Sequence, residues 1–132
     1  MSKSTLYDSV SAGLVLYPAT KTADVTTCDA WVDTMGFNSA LFIIQSGNGT
    51  FSDETYAFQA VESAAASGGG TAISGKTASI TADNQVKYIR VDDLLNRLRY
   101  LSVTLDVGGS SPSCPLSVVC VLGDALSHPV NS

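Results

Sequence analysis

The chain has 132 residues, a length typical of one domain whose core needs no metal or disulfide to support it. Charged residues make up 14% of the sequence, whereas an ordinary soluble protein has roughly 25%. Because charge is depleted where a surface is covered by another subunit, we expect subunit contacts. The net charge of -5 argues against a nucleic-acid partner, and the absence of any long apolar run argues against a membrane partner.

The first twelve residues are polar and show no periodicity, which predicts a flexible N-terminal arm at 1–12 and one β-sandwich domain at 13–132. The start MSKSTLYDSVSAG lacks the apolar core of a secretion signal, so we expect synthesis in a reducing cytosol. Cys28, Cys114 and Cys120 form no CxxC pair, and they are predicted to be unpaired, buried or half-buried thiols.

The first predicted strand is 13–21, where Pro18 indicates an edge or a strand end because proline cannot donate to a ladder. Residues 39–45 are an unbroken apolar run, typical of a strand covered on both faces. Asn48-Gly49 is a favoured hairpin dipeptide. It predicts a hairpin that leads to a return strand at 54–62.

The small residues of 63–75 offer little apolar area to bury, so this stretch is predicted to be a mobile surface loop. A short strand then ends at the turn signal Asp83-Asn84, and VKYIRVD continues as the next strand. Residues 92–99 are predicted to form either one helical turn capped by Asp92 or a wide turn.

The segment 99–109 alternates apolar and polar side chains, which predicts a half-buried strand. The loop GGSSPSCP is predicted to close a hairpin into the last strand, LSVVCVLG. Val119 and Val121 make the second face of that strand apolar too, so it is expected to be central or to lie under a neighbouring subunit. We therefore predict an all-β fold, a β-sandwich or jelly roll of about seven to eight antiparallel strands.

No catalytic residue, cofactor site or metal site is predicted. The single histidine, His128, cannot supply a multi-histidine metal centre, and the sequence has neither a GxSxG nucleophile motif nor a calcium loop. These observations disfavour an enzyme.

One short segment concentrates four of the seven basic residues of an otherwise acidic chain. It gives a candidate partner interface, formed by Lys87, Arg90, Arg97, Arg99 and Tyr100. The alternative is local pairing of the cations with Asp92, Asp93 and Asp106. Trp31, the single tryptophan, is predicted to plug the core, with a sugar-stacking platform as the other interpretation.

Five segments, taken in this order, resemble one family of proteins: WVDTMGFNSALFIIQSG, TYAFQAVESA, RYLSVTLDVGGSSPS, LSVVCVLGDAL and HPV. Over roughly residues 30–130 they are similar to small virion proteins of tailed bacteriophages, described as head decoration or capsid cement proteins. The sequence departs from that pattern at VDDLLNRLRY, where a shorter turn is expected.

The resemblance implies a homo-oligomer, a dimer or trimer, that binds the major capsid protein from outside and stabilises the shell. It also implies a location on the virion capsid surface, after synthesis in the cytoplasm of a bacterial host. Two alternatives stay open: a tail, connector or fibre component, and a carbohydrate-binding β-sandwich that would depend on Trp31 and the five tyrosines.

Overall fold

The computed structural model describes residues 6–126, so the first five residues of the predicted arm and His128 lie outside the described residues. The described part contains one helical turn, eight strands and one 3₁₀ turn. These are α1 Leu6–Ser9, β1 Ser11–Lys21, β2 Val32–Asp33, β3 Phe37–Ser46, β4 Thr55–Ser63, β5 Thr71–Ile80, β6 Val86–Val91, the 3₁₀ turn Leu94–Asn96, β7 Tyr100–Gly108 and β8 Cys114–Ala125. Strand β1 thus begins two residues before the predicted start of the domain at residue 13.

The strands form two antiparallel sheets of four, which confirms the predicted β-sandwich. Sheet one has the order β1-β8-β3-β6, and sheet two has the order β2-β7-β4-β5. Each sheet turns one apolar face towards the other, because side chains alternate faces along a strand. The buried side chains of both sheets therefore form one core between them.

The core contains the alternating apolar residues that the sequence places on one side of each strand. Leu101, Val103 and Leu105 of β7 are buried, as predicted. In β8, Leu116, Val118, Cys120 and Leu122 are buried as predicted, and so is Cys114 at the start of the strand. Burying a side chain of this size stabilises a fold by about 1.5–3 kcal/mol, so these two central strands contribute much of the core stability.

Tyr56 is the largest fully buried side chain, and its hydroxyl ties two loops together at one end of the sandwich. The hydroxyl donates to the carbonyl of Thr50 at 3.0 Å and accepts from the Ser113 amide at 2.9 Å. Phe51 packs against its ring edge-on, with centroids 5.4 Å apart. A buried hydroxyl is stable here because both of its hydrogen-bonding roles are used.

The predicted hairpin at Asn48-Gly49 is wrong, because β3 and β4 belong to different sheets. The loop between them crosses from sheet one to sheet two, and the Gly49 amide donates to the Asp83 carboxylate at 2.9 Å. The predicted hairpin through GGSSPSCP is wrong for the same reason, since β7 and β8 lie in opposite sheets. Turn-forming residues reverse the chain, but they do not select the sheet that the next strand joins.

The predicted mobile loop at 63–75 is too long, because β5 already begins at Thr71. Gly68 and Gly70 have φ of +80° and +68°, which glycine adopts without steric cost. Residues 92–99 contain the predicted single turn, but as a 3₁₀ turn whose N-cap position is Asp93 and not Asp92, with no side-chain capping bond.

The outer faces of the two sheets differ in chemistry. Sheet two presents alanine, glutamine, threonine, serine and aspartate on β4, β5 and β7. Sheet one presents half-exposed Leu41 and Ile43 on β3 and half-exposed Val119 and Val121 on β8. Strand β3 is therefore not covered on its second face by any described strand, contrary to the sequence-based expectation.

Candidate partner interface

The structure places the five predicted interface residues on two strands and on the segment between the 3₁₀ turn and β7, which carries Arg97 and Arg99. Lys87 and Arg90 lie on β6, at the edge of sheet one, and Tyr100 opens β7 in sheet two. In the register of β3 and β6, Lys87 is opposite buried Ile44 and Arg90 is opposite Leu41. Since neighbours in register share a face, Lys87 lies on the core side of the sheet edge and Arg90 on the outer side.

The three arginines are each bound to a carboxylate of the same chain. Arg90 Nε lies 2.8 Å from Asp92, where both side chains are largely exposed. Arg97 contacts Asp93 at 3.1 Å. These two pairs are the local pairing that the sequence offered as the alternative, whereas no ion pair joins Asp106 to a cation among the described residues.

Two further carboxylates come from distant parts of the sequence. Glu62 of β4 accepts from Arg97 at 3.0 Å and from the Leu98 amide at 2.8 Å. Its side chain is 13% exposed, so this carboxylate is mostly removed from solvent. It fastens the segment after the 3₁₀ turn to sheet two.

The second is Asp33 of β2, which forms a bidentate pair with Arg99 through distances of 2.9 and 2.7 Å. The hydrogen bonds from Arg99 lower the pKa of the Asp33 carboxyl. The same guanidinium lies over the Tyr100 ring, 5.3 Å from its centroid. The Arg99 guanidinium therefore contacts both the Tyr100 ring and Asp33, and Asp33 balances its charge.

Beside these pairs lies an apolar groove of about 360 Å³, which we call the end groove. Its exposed apolar residues are Met35, Leu95 and Leu126, at 66%, 73% and 59% exposure. Arg97 and Arg99 also line it. The end groove thus has an apolar centre and a polar rim, which is the anatomy of a protein-protein contact.

Three separate segments build the end groove, and hydrogen bonds hold them in place. The Leu126 amide donates to the Gly36 carbonyl at 2.8 Å, and the Thr34 hydroxyl donates to the Arg99 carbonyl at 2.6 Å. Sequence reasoning found the arginines but missed the apolar residues. The apolar residues lie too far apart in the sequence for any local pattern to join them.

The three cysteines are unpaired and buried, as predicted. Burial raises the pKa of each thiol, and for Cys120 it raises the pKa to about 12. At neutral pH these groups are therefore neutral thiols and weak nucleophiles. Among residues 6–126, no group of histidine, cysteine or acidic side chains is placed to hold a metal ion.

The features of the carbohydrate alternative are not brought together. Trp31 is half-buried against Gly70, where an added Cβ would lie 2.6 Å from the indole ring. A shallow groove of about 690 Å³ on the outer face of sheet two is lined by Thr77, Ser79 and Thr104, but not by Trp31. Neither helical segment of the described chain is long and apolar enough to cross a membrane.

Comparison with known proteins identifies no family for this chain. No protein-family model matches the sequence, and no curated protein matches it. One solved structure with a similar fold comes from Bacillus endospore appendages, described as a novel family of disulfide-linked pili. The two chains are 14% identical with a TM-score of 0.47, over 96% of this chain and 100% of the other. Similarity at this level transfers no property to this chain.

Proposed function

We propose that this protein is a structural subunit of a tailed-phage virion that docks on the outside of the capsid and stabilises the shell. The end groove is the observation that carries the proposal. Met35, Leu95 and Leu126 expose apolar surface at one end of a rigid sandwich. Exposed apolar groups that gather around a groove with a polar rim are typical of a surface that another protein covers.

The charge arrangement of the rim supports a protein partner. Arg97 and Arg99 are bound to Glu62, Asp93 and Asp33. Burying an unpaired ion at an interface is costly. A partner can cover this rim without that cost, because its charges are already paired. Partner residues then need only supply apolar groups for the groove and hydrogen bonds for the rim.

The mechanism is one of linked equilibria. A subunit that binds the assembled shell, and not its separated parts, stabilises the shell by the free energy of binding. That contribution is repeated at every copy on the lattice, so a modest affinity at each site protects the whole particle. The rigid sandwich suits this role because little conformational entropy is lost when it docks.

The first test uses particles of the virus that encodes this chain. We expect Leu95→Asp to abolish attachment, because the substitution places a carboxylate in the centre of the covered groove. Cryo-EM of the particles and quantitative mass spectrometry of their protein copies measure the effect. Thr77→Asp is the matched control, since Thr77 is exposed on the outer face of sheet two and should attach normally.

Three results would contradict the proposal. Particles that lack the protein would exclude a virion role altogether. A few copies at one vertex would support the tail, connector or fibre alternative. Normal decoration by Leu95→Asp, with the fold intact by circular dichroism, would show that the end groove does not face the shell.

A further inference from the structure

The outer face of sheet one carries an apolar surface separate from the end groove. One row crosses all four strands in register and consists of Leu14, Val119, Ile43 and Tyr88. Two residues along, the next row consists of Ala12, Val121, Leu41 and Arg90. We call these two rows the sheet-one face.

The side chains of this face are open to solvent to very different degrees. At the edges, Leu14 is 42% exposed and Tyr88 is 61% exposed. On the two central strands, Ile43 and Val119 are half-buried, since flanking side chains shield them. The corresponding positions of sheet two carry alanine, glutamine, threonine and aspartate, so the larger apolar side chains are confined to one of the two outer faces.

The sheet-one face is also nearly free of charge. The four strands of sheet one contain only Lys21, Lys87, Arg90 and Asp124 as charged residues. Lys21 contacts Asp29 at 3.8 Å, and Lys87 lies on the core side. Asp124 lies near the end of β8. Only Arg90 stands in the two rows, and it is bound to Asp92 at the rim.

We infer that the sheet-one face packs against the same face of a second copy of this chain. Place a two-fold axis between β8 and β3, running along the strands. Each β8 then lies over the partner's β3, and each β1 lies over the partner's β6. Contacts across such an axis are reciprocal, as isologous dimers require.

Side-chain sizes match under this operation. In the first row Val119 meets the second copy's Ile43, and Leu14 meets the second copy's Tyr88. In the second row the long Arg90 side chain meets small Ala12, and Leu41 meets Val121. Large groups are thus opposite smaller ones at the edges and medium groups meet at the centre, which is how two sheets interdigitate at a separation of about 10 Å.

The size of the face fits a weak dimer. Four strands about 4.8 Å apart span about 19 Å, and the six residues of β6 that complete the sheet around the two rows extend about 20 Å. Two stacked faces of that size bury on the order of 800 Å², which is typical of a weak interface. A membrane surface fits less well, because the face presents no free cation for anionic lipids.

The test measures self-association of the purified full chain by sedimentation equilibrium. We expect a species of about 27 kDa, twice the 13.7 kDa chain. Val119→Lys should weaken the dimer about 100-fold or more, because two ammonium groups would be buried without partners. Thr104→Lys is the matched control, since Thr104 is equally half-buried on a central strand of sheet two.

A charge-swap experiment tests the register itself. Leu14→Asp and Tyr88→Lys should each weaken the dimer, and the double variant should recover association. Within one chain these positions lie three strands apart, about 14 Å, so they can pair only across the two-fold axis. Tyr88 is exposed on an edge strand, so Tyr88→Lys also serves if Val119→Lys fails to fold.

A wild-type chain that stays monomeric at millimolar concentration overturns the inference, as does a Val119→Lys variant that dimerises normally. Equal weakening by Thr104→Lys, or no recovery in the double variant, overturns the assigned face. The measurement uses the protein alone and no virion. A chain that does not dimerise can therefore be distinguished from a chain that does not bind the capsid.

Discussion

At the scale of single residues, Gln59 shows what alternation along a strand does and does not specify. The period-two pattern places Gln59 outside the core, on the opposite side from Tyr56, Phe58 and Ala60, and this is confirmed. The pattern does not show that the Gln59 amide donates to the carbonyls of Ala60, Ile73 and Lys76 at 2.8, 2.8 and 3.1 Å. Those hydrogen bonds lie at the register shift between β4 and β5, which falls between Gln59 and Val61.

We expect Gln59→Ala to reduce the free energy of unfolding by about 1–2 kcal/mol, since carbonyls within the break lose their donor. Urea denaturation followed by tryptophan fluorescence measures the loss. Gln45→Ala is the control, because Gln45 is exposed on β3 and should change stability by less than about 0.5 kcal/mol. A loss of the same size in both variants would show that the break is held by other contacts.

At the scale of elements, the strand segments follow from the sequence but the segment after β6 does not. Strands β3, β4, β7 and β8 lie where apolar alternation and apolar runs place them. The position of the 3₁₀ turn depends on Glu62, which is some 35 residues away and binds both Arg97 and the Leu98 amide. Local helix and strand propensities do not predict contacts between residues so far apart in the sequence. The residues that line the end groove could therefore not be predicted from sequence alone.

We expect Glu62→Ala to reduce the free energy of unfolding by about 2 kcal/mol, because the Leu98 amide loses its acceptor and the largely covered Arg97 guanidinium keeps only Asp93 as a partner. Glu62→Gln should reduce the free energy of unfolding by a smaller amount, since glutamine retains an acceptor oxygen. Chemical denaturation of both variants gives the comparison.

Asp92→Ala is the matched control for Glu62→Ala. It breaks the exposed Arg90 pair, whose side chains are 75% and 57% exposed, and should change stability by no more than about 0.5 kcal/mol. If Asp92→Ala reduced the free energy of unfolding as much as Glu62→Ala, the burial of the Glu62 contacts would not explain their contribution to stability.

At the scale of the whole molecule, the sandwich was predictable and its connectivity was not. Alternation and turn residues predict about eight strands in two layers. Of the six strand pairings, only β4 with β5 joins neighbours in the sequence, so both predicted hairpins are wrong. Which strands pair depends on how the two apolar faces meet, a property that no short window of sequence contains.

This topology predicts slow folding. Pairings between distant strands require long loops to close before any contact compensates for the lost entropy, so refolding should take milliseconds to seconds. Stopped-flow fluorescence after dilution from urea measures the main phase. Complete refolding within microseconds would contradict the expectation.

The outermost strands of both sheets are interrupted or short. Pro18 lies within a register shift of β1. Strand β2 has two residues, and Gly75, with φ of +77°, lies in the break of β5. Strand β6 carries Lys87 and Arg90 over six residues. Such edges are poor templates for another chain's backbone. Edge-to-edge association into fibrils is therefore disfavoured even at high concentration. Copies of the chain are expected to associate through their side-chain surfaces instead of through strand edges.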